Sequence, residues 1–317
     1  MMEFDLINAI RARVNIARDD VALGIGDDAA VTNVPAGRQL VACTDTLVAG
    51  VHFLADTTPE DIGWKSLAVN LSDLAAMGAE PAWALLALTL PEPDERFVAG
   101  FAAGFAGLAR AHDVALIGGD TTQGPLSITV TALGTLPIGT AWTRGGAHAG
   151  DAIFVTGTLG DAAGALRQLQ VHDTPASALL AKLNRPEPRV EAGLALRGVA
   201  TACIDVSDGL LADLGHVCAA SGVGAELDAD ILPLSAALTS TFDQATCRDL
   251  ACAGGDDYEL CFTGSSAREA EVEKALERAG CRATRIGRIV AGSGVRVFDA
   301  HGSEIAMPRA GWEHFSR

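Results

Sequence analysis

Apolar positions in this chain fall into short continuous runs and helix-spaced stripes that alternate, the pattern of an α/β protein. The run QLVACT at 39–44 predicts a buried strand that ends at Asp45. Thr57, Thr58 and Pro59, followed by Glu60 and Asp61, predict a helix start: a hydroxyl cap, Pro in the first turn and acids at the positive helix end. Trp64, Leu67, Ala68, Leu71, Leu74 and Ala75 then recur at helical spacing, up to a stop at Gly78. A second buried strand is expected over 82–90 and a helix from Phe97 to Ala111, opened by Pro93 and Asp94. A strand over 114–117 runs into Gly118-Gly119-Asp120, and another is expected over 126–136.

The Gly-rich polar stretch 144–151 marks a domain junction, giving an N-terminal domain over 1–140 and a C-terminal one over 141–317. The second half should open with a strand over 152–156 and a helix from Asp161. Further strands are expected at 201–206, 223–228, 258–263 and 283–290, and helices at 208–220 and 266–279, with 230–253 irregular. Two fragments recur across the halves. Gly118-Gly119-Asp120 returns as Gly254-Gly255-Asp256, and an apolar strand ending in Asp occurs at Asp45 and at Asp205. The strands at 39–44 and 82–90 carry few charges, so a sheet built from them with an uncovered face should associate into a homodimer.

Composition narrows the partners. A length of 317 residues suits two domains, and 49% hydrophobic residues can fill their cores. Acidic residues outnumber basic ones 40 to 23, a net charge of −17, which speaks against nucleic acid or an anionic membrane as partner. Seven Cys without a CxxC pair speak against a disulfide framework and a zinc knuckle. The start Met1-Met2-Glu3-Phe4-Asp5 is unlike a signal peptide, and no apolar run reaches the roughly 18 residues of a membrane span, so the expected address is cytoplasmic.

The acids cluster at informative places. Asp27 and Asp28 follow Gly24-Ile25-Gly26, Asp45 and Asp120 end strands, and Asp73 shares a helix face with Ser66 and Asn70. Asp205 and Asp208 bracket Ser207 at a strand-to-helix turn, and Asp256-Asp257 follow two glycines. Ligands of α/β folds gather at strand C-terminal ends, where such acids can hold hard cations through oxygen. Each acid alone could equally be a turn or cap residue, and Asp208 is the strongest candidate for simple capping. Gly24–Ala29 fits a G-x-G-x-x-A dinucleotide pattern, but two carboxylates would stand where a pyrophosphate needs bare N–H groups. None of the three lysines follows a Gly, so there is no phosphate-binding G-K-[ST] loop, and protein-kinase signatures are absent. No G-x-S-x-G is present, and His52 has no obvious Ser or Cys partner. Trp312 could pack down the tail or stack on a ligand.

Taken together, GIGDDAA (24–30), TDTLVAGVHF (44–53), KSLAVNLSDLAAMGAEPAW (65–83), LIGGDTT (116–122), WTRGGAHAGD (142–151), VTGTLGDAAGAL (155–166), DVSDGL (205–210), GGDDYELCF (254–262) and GWEHF (311–315) resemble the thiamine-monophosphate kinase family. That family lies in the ATP-binding superfamily that includes aminoimidazole ribotide synthetase. The resemblance implies two α/β domains and a homodimer whose N-terminal mixed sheets join into a barrel, with a sandwich-like C-terminal domain closing the nucleotide and substrate cleft. ATP would lie in the groove between domains and subunits and phosphorylate thiamine monophosphate directly. Asp28, Thr44, Asp45, Asp73, Asp120, Asp205 and Asp208 would bind several Mg²⁺ ions, with Asp45 and Asp120 central to catalysis. Gly119, Asp120, Arg144 and Ser207 would contact ATP, and His52, Asp256 and Trp312 the thiamine phosphate. The family commonly has Glu at the position of Asp256 and often another aromatic at that of Trp312.

Carboxylates alone would repel ATP and a phosphate monoester, and bound Mg²⁺ removes that contradiction. Two rivals keep the same scaffold: another enzyme of the superfamily, or a protein that binds nucleotide or metal without turnover. Selenophosphate synthetases carry a reactive Cys or selenocysteine in a Gly-rich N-terminal segment, which this chain lacks. Hydrogenase maturation factors end in a functional Cys, where this chain reads His314-Phe315-Ser316-Arg317.

Overall fold

The computed structural model describes residues 3–313, with side chains from residue 5 on; His314 and Phe315 of the last family-like stretch, and the tail after them, lie outside. The chain divides into two compact units. One comprises the residues up to Leu74 together with Ala79–Gly139, the other Ala75–Gly78 together with the chain from Thr140 on. Among the described residues no helix is long and apolar enough to cross a membrane.

The first unit runs α1 (Glu3–Arg13), β1 (Val21–Leu23), β2 (Val31–Thr32), β3 (Arg38–Val48), α2 (Pro59–Ala76), β4 (Glu80–Leu90), α3 (Glu95–Ala111), β5 (Ala115–Gln123) and β6 (Ser127–Pro137). Strands β1 and β2 form a small antiparallel pair, and the others a mixed sheet in the order β3-β6-β4-β5, parallel only between β4 and β5. The Thr58 hydroxyl accepts the Asp61 N–H at 3.2 Å and opens α2, and the Asp94 carboxylate accepts the N–H groups of Arg96 and Phe97 and opens α3. The two helices touch through glycine: a Cβ at Gly104 would lie 1.8 Å from the Glu60 carbonyl oxygen. Helix α2 covers one sheet face, where the Cys43 thiol donates to the Asn70 carbonyl at 3.3 Å and Gly134 meets Leu74. The buried Leu67, Leu71, Leu74, Ile128, Val130 and Leu86 fill that layer.

The other sheet face is bare along β3, while Val21 and Ala30 cover it at Trp83, Leu85 and Leu133. Along β3, Leu40, Ala42, Thr44, Thr46 and Val48 are exposed, while Val41, Cys43, Asp45 and Leu47 are more covered. Leu40 is 50% exposed, so QLVACT is an edge strand with one open side and not the buried strand its composition predicts. Its small and hydroxyl residues blur an alternation that is in fact regular. Two strand ends also move outward. β3 continues past Asp45 to Val48, and β5 continues through Gly118-Gly119-Asp120 to Gln123 because β4 offers paired positions as far as Leu90. Asp45 and Asp120 therefore sit inside strands, and His52 lies in the turn that follows β3.

The second unit runs β7 (Asp151–Thr156), α4 (Asp161–Gln170), α5 (Ser177–Asn184), α6 (Val190–Ala195), β8 (Ala202–Asp205), α7 (Leu210–Ser221), β9 (Gly224–Asp228), α8 (Ala236–Thr241), α9 (Gln244–Ala253), β10 (Leu260–Ser265), α10 (Glu269–Arg278), β11 (Ala283–Val290), β12 (Gly294–Phe298) and β13 (Glu304–Ile305). Its sheet has the order β13-β12-β9-β11-β7-β10-β8, with only β12 and β9 parallel. Helix α7 lies against β8, β9, β10 and β12, and Leu210, Leu214, Val217, Ile153, Ile204 and Ile286 form the core beneath it. A second apolar cluster joins α4, α5, α8 and α9 through Leu179, Leu183, Leu238, Cys247 and Leu250. The stretch 230–253 is thus mostly helical. Ser235 and Asp243 cap α8 and α9, accepting from Leu238 N at 3.0 Å and Thr246 N at 2.8 Å.

Candidate active site

In the first unit, the sheet register decides which acids meet. Asp45 pairs with Val130, which pairs with Leu86, which pairs with Gly119, so these form one row across the sheet. Asp120 pairs with Ala87 in the next row. Partners in a row share a face, so Asp45 looks toward α2 and Asp120 toward the bare face with Thr44 and Thr46. Their strands are the two edges of the sheet, three strand spacings or roughly 14 Å apart along it.

Asp45 meets Asp73 of α2. Burial raises the Asp45 carboxyl above the ordinary carboxylate range, opposed by a hydrogen bond with Asp73 and by the charge of His52. The Cys43 thiol beside them is pushed up by burial and then by Asp73 and Asp45. Two carboxyl groups in hydrogen-bond contact must share a proton or a cation. Thr44 Oγ1 lies 3.0 Å from Thr131 Oγ1 and donates to the Val130 carbonyl at 3.1 Å. The His52 ring is oriented by Val48 N–H, which donates to Nδ1 at 3.0 Å. Lys65, buried in α2, donates to the His52 carbonyl at 3.2 Å and holds that loop. Asp28 is exposed in a tight turn, its N–H bonded to Asp27 Oδ1 at 2.9 Å. Gly119 is close-packed: a Cβ there would lie 1.8 Å from the Leu86 carbonyl oxygen.

In the second unit, the turn 205–209 gathers the remaining candidates except Arg144, which lies by Ser221 at the other end of α7. Asp205 ends β8 and is buried at 6% exposure, while Ser207 and Asp208 are half-buried. The Asp208 side chain does not cap α7. The cap residue is Gly209, and the N–H groups of Ser207, Asp208 and Gly209 all go to Asp213 Oδ2 at 3.0, 3.1 and 3.1 Å. Burial, and then Asp205, push the Asp213 carboxyl up to about 7 against the pull of these donors. Asp256 has a left-handed backbone (φ 70°) and accepts the Tyr258 hydroxyl at 3.0 Å. Asp257 is structural: buried, it accepts the N–H of Gly160, the residue before α4, at 2.9 Å, and burial pushes its carboxyl well up. Trp312 is 55% exposed beside this turn, its N–H donating to the Asp208 carbonyl at 2.9 Å. Arg144 is exposed, and its carbonyl accepts from the Ser221 hydroxyl at 2.9 Å.

Among the described residues no three His, Cys, Asp or Glu side chains converge. Magnesium does not need such a cage, since it is usually held by one or two carboxylates with waters and substrate phosphates. The Asp45–Asp73 pair and the all-oxygen character of the other candidates fit that demand. Two of these residues, Lys65 and Asp213, carry no clear signal in the sequence. Lys65 is a lone cation in an apolar helix stripe, and Asp213 lies within the first turn after DVSDGL, where an acid complements helix N–H groups.

The N-terminal domain model of AIR synthase related proteins matches residues 26–136, and the C-terminal domain model matches 148–300. Thiamine-monophosphate kinase of Salmonella typhimurium (strain LT2) is 46% identical over 319 residues, spanning 99% of this chain and 98% of its own. The crystal structure of thiamine-monophosphate kinase from Stenotrophomonas maltophilia K279a is 54% identical with a TM-score of 0.87, covering 94% of this chain and 96% of that one. The structure of AaThiL complexed with AMPPCP and TMP is 32% identical with a TM-score of 0.79, covering 99% of this chain and 97% of that one. With both domains and almost its full length accounted for, the chain belongs to the thiamine-monophosphate kinase family of AIR synthase related proteins.

Proposed function

We propose that this chain transfers the γ-phosphoryl group of ATP to thiamine monophosphate, giving thiamine diphosphate and ADP in the cytoplasm. The observation that carries this reading is the 46% identity to a thiamine-monophosphate kinase over 99% of the chain. A relative's binding of AMPPCP and TMP together adds that one such fold can hold a nucleotide and the acceptor at once. In this reading Asp28, Thr44, Asp45, Asp73, Asp120, Asp205 and Asp208 hold Mg²⁺, Gly119, Asp120, Arg144 and Ser207 hold ATP, and His52, Asp256 and Trp312 face the acceptor. Bound magnesium supplies charge neutralisation of the phosphates. A terminal oxygen of the acceptor phosphate forms the new bond to the γ-phosphorus as the bond to ADP breaks. That phosphate has a second pKa of about 6 and is largely a dianion at neutral pH, so no side chain has to remove a proton. What remains for the protein is to orient and to shield, which is the main demand of phosphoryl transfer. The test is an assay with ATP and Mg²⁺ that offers thiamine monophosphate and, separately, free thiamine. Thiamine diphosphate should form from the monophosphate; turnover of free thiamine alone would refute the acceptor assignment.

A homodimer completes the first unit in this reading. Its sheet has helices on one face only, and the open face carries Leu40 and Val48 at 50% and 36% exposure. A second copy covering it would join two sheets into a barrel. The wild-type protein should sediment as a dimer at micromolar concentration, and Leu40→Glu should shift it to monomer. A fully active wild-type monomer would contradict this arrangement.

Trp312 should stack on the cationic thiazolium of the acceptor. A Trp face attracts a cation by about 0.5–2 kcal/mol, so Trp312→Ala should raise KM for thiamine monophosphate roughly 3–30-fold. KM for ATP should change little and Trp312→Phe should recover part of the loss. A lowered Tm with unchanged KM would make the residue a tail anchor only.

A further inference from the structure

We propose that Asp213 is a positioning residue that locks the acceptor-facing segments to the turn carrying Asp205, Ser207 and Asp208. The roles of those groups rest on the function proposed above; the lock itself is geometric. The turn 206–209 commits its peptide groups in two directions. Inward, the N–H groups of Ser207, Asp208 and Gly209 converge on Asp213 Oδ2 at 3.0–3.1 Å. Outward, its carbonyls receive other segments: Val206 O accepts Tyr258 N–H at 2.8 Å, Ser207 O accepts Asp256 N–H at 2.8 Å, and Asp208 O accepts Trp312 N–H at 2.9 Å.

The contacts leave little freedom on the outward side. A Cβ at Gly255 or at Gly311 would stand 2.6 Å from the Ser207 or the Asp208 carbonyl oxygen. Each peptide plane is rigid, so fixing its N–H also aims its C=O. The position of one carboxylate oxygen therefore sets where Asp256 and Trp312 stand relative to Ser207 and Asp208. Asp213 is 3% exposed and cannot itself reach a substrate. The cap residue Gly209 has no side chain to replace it, and Asp213 reaches back from the first turn of its own helix to do so.

A plain helix cap would hold only its own turn, whereas a lock transmits to two segments distant in sequence. The experiment is native-state hydrogen exchange on the full chain, wild type and Asp213→Asn, with steady-state kinetics on the same preparations. In the wild type, the amides of Ser207, Asp208 and Gly209 should be protected by about 100-fold or more. Asp213→Asn keeps an acceptor oxygen but loses the charge that strengthens it. Exchange should quicken about tenfold or more at these three amides, and also at Asp256 and Trp312. KM for ATP and KM for thiamine monophosphate should rise together, a signature that loss of stability alone would not give. Faster exchange confined to 207–209, with Asp256 and Trp312 unmoved, would overturn the lock. Should the variant not fold, rapid exchange of the three amides in the wild type would overturn it equally. If the wild type makes no thiamine diphosphate, the functional reading fails while the exchange result still decides the lock.

Discussion

Asp120→Asn and, separately, Asp45→Asn should lower kcat/KM for thiamine monophosphate by about 100-fold or more, as expected when one anionic ligand of a charge-neutralising metal site is lost. Their stability should stay the same or rise. Asp120 is exposed on the bare sheet face, and its neutralisation reduces the self-repulsion of a chain with net charge −17. Asp45 is partly covered by α2, and its charge is disfavoured by burial and set against Asp73. An amide there relieves both costs, the usual opposition between stability and activity at a functional site. Raised Mg²⁺ should recover part of the lost rate in each variant. Near-wild-type turnover at low Mg²⁺, or a drop in Tm that matches the loss of activity, would show that these acids serve the fold.

The largest stability effect should come from Arg189→Ala. Glu259 immediately precedes β10 with its side chain only 2% exposed, and Arg189 grips it with Nε at 2.6 Å and Nη2 at 2.5 Å. Thr156 Oγ1 donates to the same carboxylate at 2.7 Å, and Lys182 lies 4.0 Å away. Removing Arg189 strands a buried charge, which costs about 3–5 kcal/mol. The double variant Arg189→Met with Glu259→Leu should lose much less, because no charge is then left buried. Chemical denaturation of the wild type and the two variants measures this, and equal losses in the single and double variants would contradict it.

How far these features could be read in advance depends on their length and on local chemistry. The helix Pro59–Ala76 was legible because a hydroxyl cap, a Pro and a long apolar stripe agree. The two helices within 230–253 are only 6 and 10 residues long. Their caps, Ser235 and Asp243, are visible in the sequence, but neither is followed by enough turns to show a period. The end of β5 was hidden because Gly118-Gly119-Asp120 reads as a turn, and only the partner strand β4 shows that the ladder continues. Asp73 beside Asp45 is a tertiary contact that motif spacing cannot provide. The same holds for Asp213, whose three donors come from a turn that the sequence presents only as DVSDGL. The separation of Asp45 and Asp120 onto opposite faces follows from strand parity once the register is known, and register is what the sequence leaves unstated.

A single-turnover experiment distinguishes direct phosphoryl transfer from a route through the protein. Enzyme in excess over γ-labelled ATP, with Mg²⁺ and thiamine monophosphate, is quenched at intervals and the label is followed. Label should leave ATP and enter thiamine diphosphate in step, with none on the protein at any time, because no activated nucleophile accompanies the acids. Label that passes through a phosphorylated side chain, or that ends in orthophosphate with the acceptor untouched, would contradict it.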